Sequence, residues 1–345
     1  MQSKTTHTNM LLTTNPTPQA WDTFVLSQPR AHLLQLSGWG ELKSQFGWEA
    51  QRIALTQDGN IVAGALVLLK SLPMKLGKMA YIPLGGYATD TKLYPALWDA
   101  IKKETGVAFL KLEAGYFLDT PPLDLTGMGF QESPQTVQPP NTVYIDVTVD
   151  DETIMSRMNQ GTRRKIRKSL KNDVTYYEGT RDDLADFNLL MQETGDRNEF
   201  GVHTESYYEK VYDLFIPEHG VMLMAKHEDT PLVGIMVFAV GDTGWYLYGA
   251  SSREKSNLNA TYGIQWQAIQ WAKARGCKYY DLWGIPDEDE ATLEAQFQER
   301  SDGLWGVYGF KRGWGGDVVR SVGTWDKVFN PLIYTAYRTV LKLRG

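Results

Sequence analysis

The most chemically suggestive stretch is GLWGVYGFKRGWGG, residues 303–316, where glycines and aromatics surround Lys311 and Arg312. Two arrangements fit it. One is a tight-turned strand pair with exposed cations. The other is a cation held over a reacting carbonyl, where an ammonium can stabilise developing negative charge. A second stretch draws attention by charge. Arg157, Arg163, Arg164, Lys165, Arg167, Lys168 and Lys171 lie close together with no acidic residue among them, in a chain of net charge -6 and isoelectric point near 5.5. A concentrated positive patch on an acidic chain calls for an anionic partner, and arginine and lysine both suit phosphate oxygens. A solvated face of a packed helix explains the same residues equally well. No base-reading module is spelled out, so backbone contact with RNA is expected, and DNA is not.

The absences narrow the chemistry. There is no HExxH, P-loop, GxSxG or GxGxxG pattern, and His7, His32, His203, His219 and His227 are dispersed. No metal, cofactor or hydrolytic triad is expected. An enzyme built this way would position two activated reactants and stabilise charge. Cys277 is the single cysteine, so no disulfide framework exists. A hydrophobic content of 42% with 22% charged residues fits a soluble globular protein. The polar amino-terminal stretch lacks the apolar block of a signal peptide, and no apolar run reaches membrane-span length. These features predict a cytoplasmic protein whose membrane contact is at most peripheral.

The elements that must carry these residues form two halves. NIVAGALVLL (60–69) follows Asp58-Gly59, and TPLVGIMVFA (230–239) follows Glu228-Asp229; each reads as a strand after a hairpin turn, with Gly64 and Gly234 in the same place. Residues 93–113 and 262–283 both read helix, turn, strand, with Trp98, Ala100, Ile101 and Gly106 matched by Trp266, Ala268, Ile269 and Gly276. The order predicts a duplicated α/β (α+β) unit, a mixed sheet with helices packed on it. The halves are expected to meet near residue 150. In the basic segment Ile154, Met158, Thr162, Ile166 and Leu170 recur every four residues on one packing face, with Gly161 a candidate break. The tail after Pro331 reads as a helix, with Leu332, Ala336, Val340 and Leu343 on roughly one side. The loop SSREKSNLNATYGIQW precedes a helix amino terminus, the place where acyl-CoA N-acyltransferases hold phosphate, although the usual glycine pattern is poorly matched.

Taken together, SGWGELKSQFGW (37–48), YIPLGG (81–86), LKLEAG (110–115), TRRKIRKSLKNDV (162–174), YLYGASS (246–252), NATYGIQWQAIQWAKARGCKYYDLWGIPD (259–287), GLWGVYGFKRGWGG and GTWDKVFNP (323–331) resemble the FemABX family of peptidoglycan bridge-forming aminoacyltransferases. The resemblance implies two tandem GNAT-like domains, 1–150 and 151–325, with a C-terminal helix 326–345 returning to the first. It also implies the compact form, because no heptad-rich insertion fits between 174 and 260. The implied reaction moves an amino acid from aminoacyl-tRNA, a co-substrate, to the stem-peptide amine of a peptidoglycan precursor. That precursor is either UDP-MurNAc-pentapeptide or its lipid-linked form.

By the same resemblance Lys311 stabilises the oxyanion, and Lys43 and Arg197 meet the precursor. Tyr207, Tyr208, Tyr248 and Tyr262 are candidates to line the cleft. Glu113, where relatives carry an aspartate, and Asp281 are the candidate carboxylates. Arg163, Arg164, Lys165, Arg167 and Lys168 meet tRNA or precursor phosphates. YIPLGG departs from the family at Leu84 and Gly86, where relatives carry an arginine and a Gly-Pro pair. An acyl-CoA-dependent N-acyltransferase of the same fold, and a catalytically silent RNA- or precursor-binding module, are the alternative readings.

Overall fold

In the computed structural model, residues 10–73, 76–117, 122–198 and 201–344 are described. The strands are β1 Met10–Thr14, β2 Glu49–Gln57, β3 Asn60–Ser71, β4 Lys78–Ile82, β5 Tyr87–Ala88, β6 Phe109–Glu113, β7 Gln131–Glu132, β8 Asn141–Asp146, β9 Thr175–Glu178, β10 Gly220–His227, β11 Thr230–Val240, β12 Thr243–Ser251, β13 Tyr279–Asp281, β14 Asp317–Arg320 and β15 Thr324–Val328. The helices are α1 Pro18–Leu26, α2 Ser37–Gln45, α3 Tyr94–Thr105, α4 Asp151–Arg157, α5 Gln160–Ser169, α6 Leu184–Asn198, α7 Glu205–Phe215, α8 Ala260–Ala274, α9 Glu290–Gln296, α10 Trp305–Lys311 and α11 Pro331–Arg344.

Two compact units result, Met1–Gln138 with Ser321–Gly345, and Pro139–Arg320. Each has its own apolar core. The first sheet runs β1-β2-β3-β4-β6-β15-β7, with β5 paired to β3; the second runs β9-β10-β11-β12-β13-β8-β14. The two orders correspond strand for strand. In each, one parallel pair (β4 with β6, β12 with β13) sits among antiparallel neighbours. The helices α3 and α8 make the crossovers that a parallel pair requires.

The repeat seen in the sequence has a packing cause. A Cβ on Gly64 would stand 2.7 Å from the Trp21 ring of α1, and a Cβ on Gly234 would stand 2.7 Å from the Phe187 ring of α6. In both halves an aromatic helix residue lies where a side chain on the strand would be.

The correspondence includes an exchange. Chain order places β8 after the first sheet, but β8 pairs β13 and β14 in the second. The chain then leaves β14, and β15 joins the first sheet between β6 and β7. Strand pairing therefore sets the divisions at 138/139 and 320/321, where the sequence reading put them near 150 and 325. A buried ion pair fixes the incoming strand. Lys111 of β6 lies opposite Asp326 of β15, with Nζ 3.0 Å from Oδ1 and both side chains at most 1% exposed. Ser133 and Tyr334 each donate to Asp326 Oδ2 at 2.8 Å, so the carboxylate is satisfied.

The helix α11 packs in the first unit through Tyr334 and Tyr337, whose rings lie 5.1 and 4.8 Å from that of Phe109. The expected leucine face is not the buried one: Leu332 and Leu343 are 84% and 82% exposed. Aromatic area on the adjacent face outweighs two leucines. The basic segment also departs from its expected form. The break falls at Met158–Asn159, where Asn159 caps α5 by accepting from the Thr162 N–H at 2.7 Å. Gly161 lies within the first turn, and Leu170 is exposed. Among the described residues no helix is long and apolar enough to cross a membrane.

Candidate active site

The second unit carries the constellation around Lys311. Strand β13 pairs with β12 only from Thr243 to Trp245, ending at Asp281, while β12 continues to Ser251. Past Asp281 the chain turns through Trp283, whose φ of +61° lies in the left-handed region. A bulky residue there costs about 1–3 kcal/mol. Three hydrogen bonds hold the turn. The Trp283 N–H donates to Asp281 Oδ1 at 2.6 Å, and Lys311 Nζ donates to the Trp283 carbonyl at 3.1 Å and the Gly284 carbonyl at 2.6 Å.

Residues 305–311 form α10, not a strand of a tight-turned pair, and Lys311 at its end is 6% exposed, not a surface cation. Burial lowers its pKa to about 8, with the Asp281 charge opposing the shift. Its neighbour Arg312 faces outward. Arg312 Nε donates to Glu294 at 2.8 Å, and its guanidinium lies 4.1 Å over the Phe297 ring.

Asp281 is fully buried. Thr142 of β8 also donates to its Oδ1, while Oδ2 has no hydrogen-bond partner. Burial raises its pKa to about 7, against the hydrogen bonds and the Lys311 charge. The glycines after Lys311 have a geometric reason. Gly315 is at φ +73°, and any Cβ there would collide with the Arg157 carbonyl. The Gly313 carbonyl accepts from the Asn159 N–H at 3.1 Å. The Lys311 segment and the start of α5 are thus locked together.

The basic residues divide by role. Arg163 donates to the Met158 and Ser156 carbonyls, and Lys165 Nζ donates to the Tyr262 hydroxyl at 2.9 Å. Both are half-buried. Arg164, Arg167, Lys168 and Lys171 are exposed at helical spacing along one stripe. Tyr262 stacks on Trp314 and lies edge-on to Phe310, which precedes Lys311.

Tyr207, Tyr208 and Tyr248 form a separate cluster. The hydroxyls of Tyr207 and Tyr248 are 3.0 Å apart, and the His203 ring stacks on Tyr207 at 3.7 Å. Tyr207 and Tyr208 are buried at 2% exposure, and burial raises the pKa of all three phenols. They hold their protons at neutral pH. Arg197 falls outside the residues whose side chains are described.

Glu113 and Lys43 belong to the first unit. Glu113 Oε1 accepts from the Val137 and Gln138 N–H groups at 2.9 Å and from Thr324 at 3.0 Å, and Oε2 accepts from Tyr81. Four donors make this carboxylate a brace for its strand end, although burial still raises its pKa. Lys43 Nζ lies 4.6 Å over the Trp39 ring, half-buried, with its pKa lowered by burial to about 8. Sequence reasoning missed Thr142 and Trp283. Thr142 meets Asp281 only through strand exchange, and Trp283 looks like an ordinary apolar strand residue. Among the described residues no His, Cys, Asp and Glu group could hold a metal.

The FemAB family model matches residues 17–126, 118–228 and 223–342. The chain belongs to the FemAB family. A lipid II:glycine glycyltransferase from Staphylococcus saprophyticus is 27% identical over 403 aligned positions, covering 93% of this chain and 94% of that protein. Since 403 positions exceed the 345 residues of this FemAB member, the relative carries stretches absent here. That agrees with the compact form, as does the region between 174 and 260, whose described helices are the short α6, α7 and the start of α8. A crystal structure of FemX superposes with a TM-score of 0.81 at 23% identity, covering 95% of this chain and 99% of that one. A tandem GNAT protein from the clavulanic acid pathway gives 0.52 at 9% identity, covering 92% and 98%. The fold is that of two tandem GNAT-like domains, each a mixed sheet flanked by helices.

Proposed function

We propose that this FemAB protein is a transferase that moves an aminoacyl group from aminoacyl-tRNA to a stem-peptide amine of a peptidoglycan precursor. The observation that carries the reading is the buried ammonium of Lys311. An ammonium has three N–H donors; two go to the Trp283 and Gly284 carbonyls, which aims the third. The neutral acceptor amine attacks the ester carbonyl carbon, and the oxyanion that forms takes that third donor. Collapse breaks the bond to the terminal ribose oxygen, leaving an amide and a free hydroxyl.

Neither candidate carboxylate has an open oxygen for the amine proton. Those of Glu113 are occupied by donors, and Asp281 Oδ2 is shut off from solvent. The proton therefore passes from the amine to the leaving ribose oxygen through the substrate's own groups, with no side chain as base. Asp281 acts by fixing the Trp283 turn and by its charge on Lys311. Lys43 meets the precursor, and Arg164, Arg167 and Lys168 meet the tRNA backbone. The name of the staphylococcal relative favours the lipid-linked precursor, which would bring this protein transiently to the inner membrane face.

One feature favours the acyl-CoA alternative. A cavity of about 290 Å³ lined by Ser252, Arg253, Ser256 and Asn259 opens at the amino terminus of α8, a place suited to phosphates. The deciding experiment incubates the protein with mixed charged tRNAs and either precursor, with and without RNase, and weighs the products. A mass gain of one or more amino acids that vanishes with RNase is expected, and the increment names the amino acid. No gain on either precursor with intact charged tRNA overturns the reading in favour of acyl-CoA.

A further inference from the structure

The strand register shows why two carbonyls are free to hold Lys311. Asp281 lies opposite Tyr144 of β8, and the Leu282 N–H donates to the Val143 carbonyl at 3.0 Å. Past the turn, Ile285 bridges Asn141, and its N–H donates to the Asn141 carbonyl at 2.9 Å. Between these contacts Trp283 and Gly284 stand against the single residue Thr142. Two residues against one is a β-bulge, which bends a strand and takes its backbone out of the ladder. The carbonyls of Trp283 and Gly284 are the two that accept from Lys311 Nζ. The bulge is the seat of the ammonium.

Consecutive residues of β8 hold both ends of this bulge. Beyond it, Asn141 Nδ2 donates to the Pro286 and Glu288 carbonyls at 3.2 and 2.9 Å. Before it, Thr142 donates to Asp281 Oδ1, the oxygen that also takes the Trp283 N–H at 2.6 Å. Among the described residues Thr142 makes the one side-chain hydrogen bond to Asp281, and both side chains are buried. A valine of the same shape would fill the space and leave the carboxylate without that donor.

We infer that Thr142 is a positioning residue for Lys311: its hydroxyl holds the Asp281 carboxylate that closes the bulge, and the bulge carbonyls aim the ammonium. Its part in the transfer rests on the tRNA-dependent reading above; its hold on Lys311 does not.

The arrangement has an electrostatic consequence. The Thr142 bond favours the charged form of Asp281, and that charge favours the charged form of Lys311. Around the pair, β8 presents Tyr144 and β12 Trp245 opposite Asp281. On β13, burial keeps Tyr280 protonated, and Gln265 of α8 donates to its hydroxyl. Arg312 is paired with Glu294, and Asp317 of β14 is exposed. Asp281 supplies the charge felt by Lys311.

The test follows Lys311 directly, by NMR titration of the full-length protein carrying isotope-labelled lysine, with Lys311→Met assigning the resonance. Thr142→Val and Thr142→Ala both remove the hydroxyl, so the outcome does not depend on one variant folding; Thr142→Ser keeps it. The midpoint, about 8 in the wild type, should fall by about half a pH unit to one pH unit in the two hydroxyl-free variants. It should stay in place in Thr142→Ser. In the transfer assay the alkaline limb of kcat should move by the same amount, with KM unchanged within about twofold. An unmoved midpoint in the hydroxyl-free variants overturns the proposal even where they melt earlier, because Thr142 then only packs. A Thr142→Ser variant that shifts as Thr142→Val does also overturns it. The two readings fail separately. A midpoint that shifts in a protein that transfers nothing removes the reaction and leaves the positioning role. Transfer with an unmoved midpoint removes the role of Thr142 and leaves the reaction.

Discussion

Lys311 and Asp281 are a cation and an acid shifted towards each other by the same cause. Burial lowers the lysine to about 8 and raises the aspartate to about 7. The stability consequences have opposite signs. Asp281 binds its proton more tightly in the native state, so its ionisation lowers stability as pH rises from near 3.8 through about 7. Lys311 binds its proton less tightly when folded, so stability rises with pH between about 8 and 10.5. In the proposed oxyanion role the charged lysine is the useful form. The turnover number should therefore fall as pH rises through about 8, and a pH profile of wild-type kcat with no alkaline limb up to pH 9.5 would contradict the oxyanion role. Lys311→Met should lower kcat by about a hundred- to a thousandfold with a native circular dichroism spectrum, the loss typical of one oxyanion donor. A variant that keeps more than a tenth of wild-type kcat would place the donor elsewhere.

At the scale of elements, α5 shows why a charge count overstates a binding patch. Two of its cations are spent internally, Arg163 on backbone carbonyls and Lys165 on Tyr262. The outward stripe is left to Arg164, Arg167, Lys168 and Lys171. If α5 meets the proposed tRNA donor, replacing Arg167 and Lys168 with glutamine should weaken its binding and reduce the slope of log affinity against log salt by about 1 per cation removed. Arg163→Gln should leave that slope unchanged; filter binding across a salt series distinguishes them. The strand β15 offers a stability test. Lys111→Met strands Asp326 in a dry interior without its partner, and should cost about 3–5 kcal/mol, read from urea denaturation at pH 7. A loss below about 1 kcal/mol would mean that the ion pair does not hold the strand.

For the whole molecule, the governing feature is the reciprocal exchange of strands. Because β8 lies between β13 and β14, a fragment that starts after it lacks an interior strand of its sheet. Residues 139–320 should unfold cooperatively as an isolated fragment, whereas residues 151–325 should not; thermal melts of the two fragments check this. Equal cooperativity in both would show that β8 is dispensable. The exchange also explains why the acid at the end of each central strand is met by a threonine from the exchanged strand, Thr324 on Glu113 and Thr142 on Asp281. The duplicated acids have since diverged. Glu113 is saturated with donors, while Asp281 keeps one bare oxygen beside a lysine.

The sequence by itself determined what depends on neighbours along the chain. The hairpins, the helix–turn–strand repeats and the glycines at matched strand positions were readable because turn chemistry and periodicity are local. The family motifs located Lys311 and α5 for the same reason. Only the tertiary structure decided the rest. It buried Lys311, divided the cations of α5 into spent and exposed, turned α11 onto its aromatic face and saturated Glu113. It also brought Thr142 to Asp281 across an exchanged strand. Burial and long-range pairing set these outcomes, because a pKa or a hydrogen-bond partner belongs to an environment assembled from distant segments.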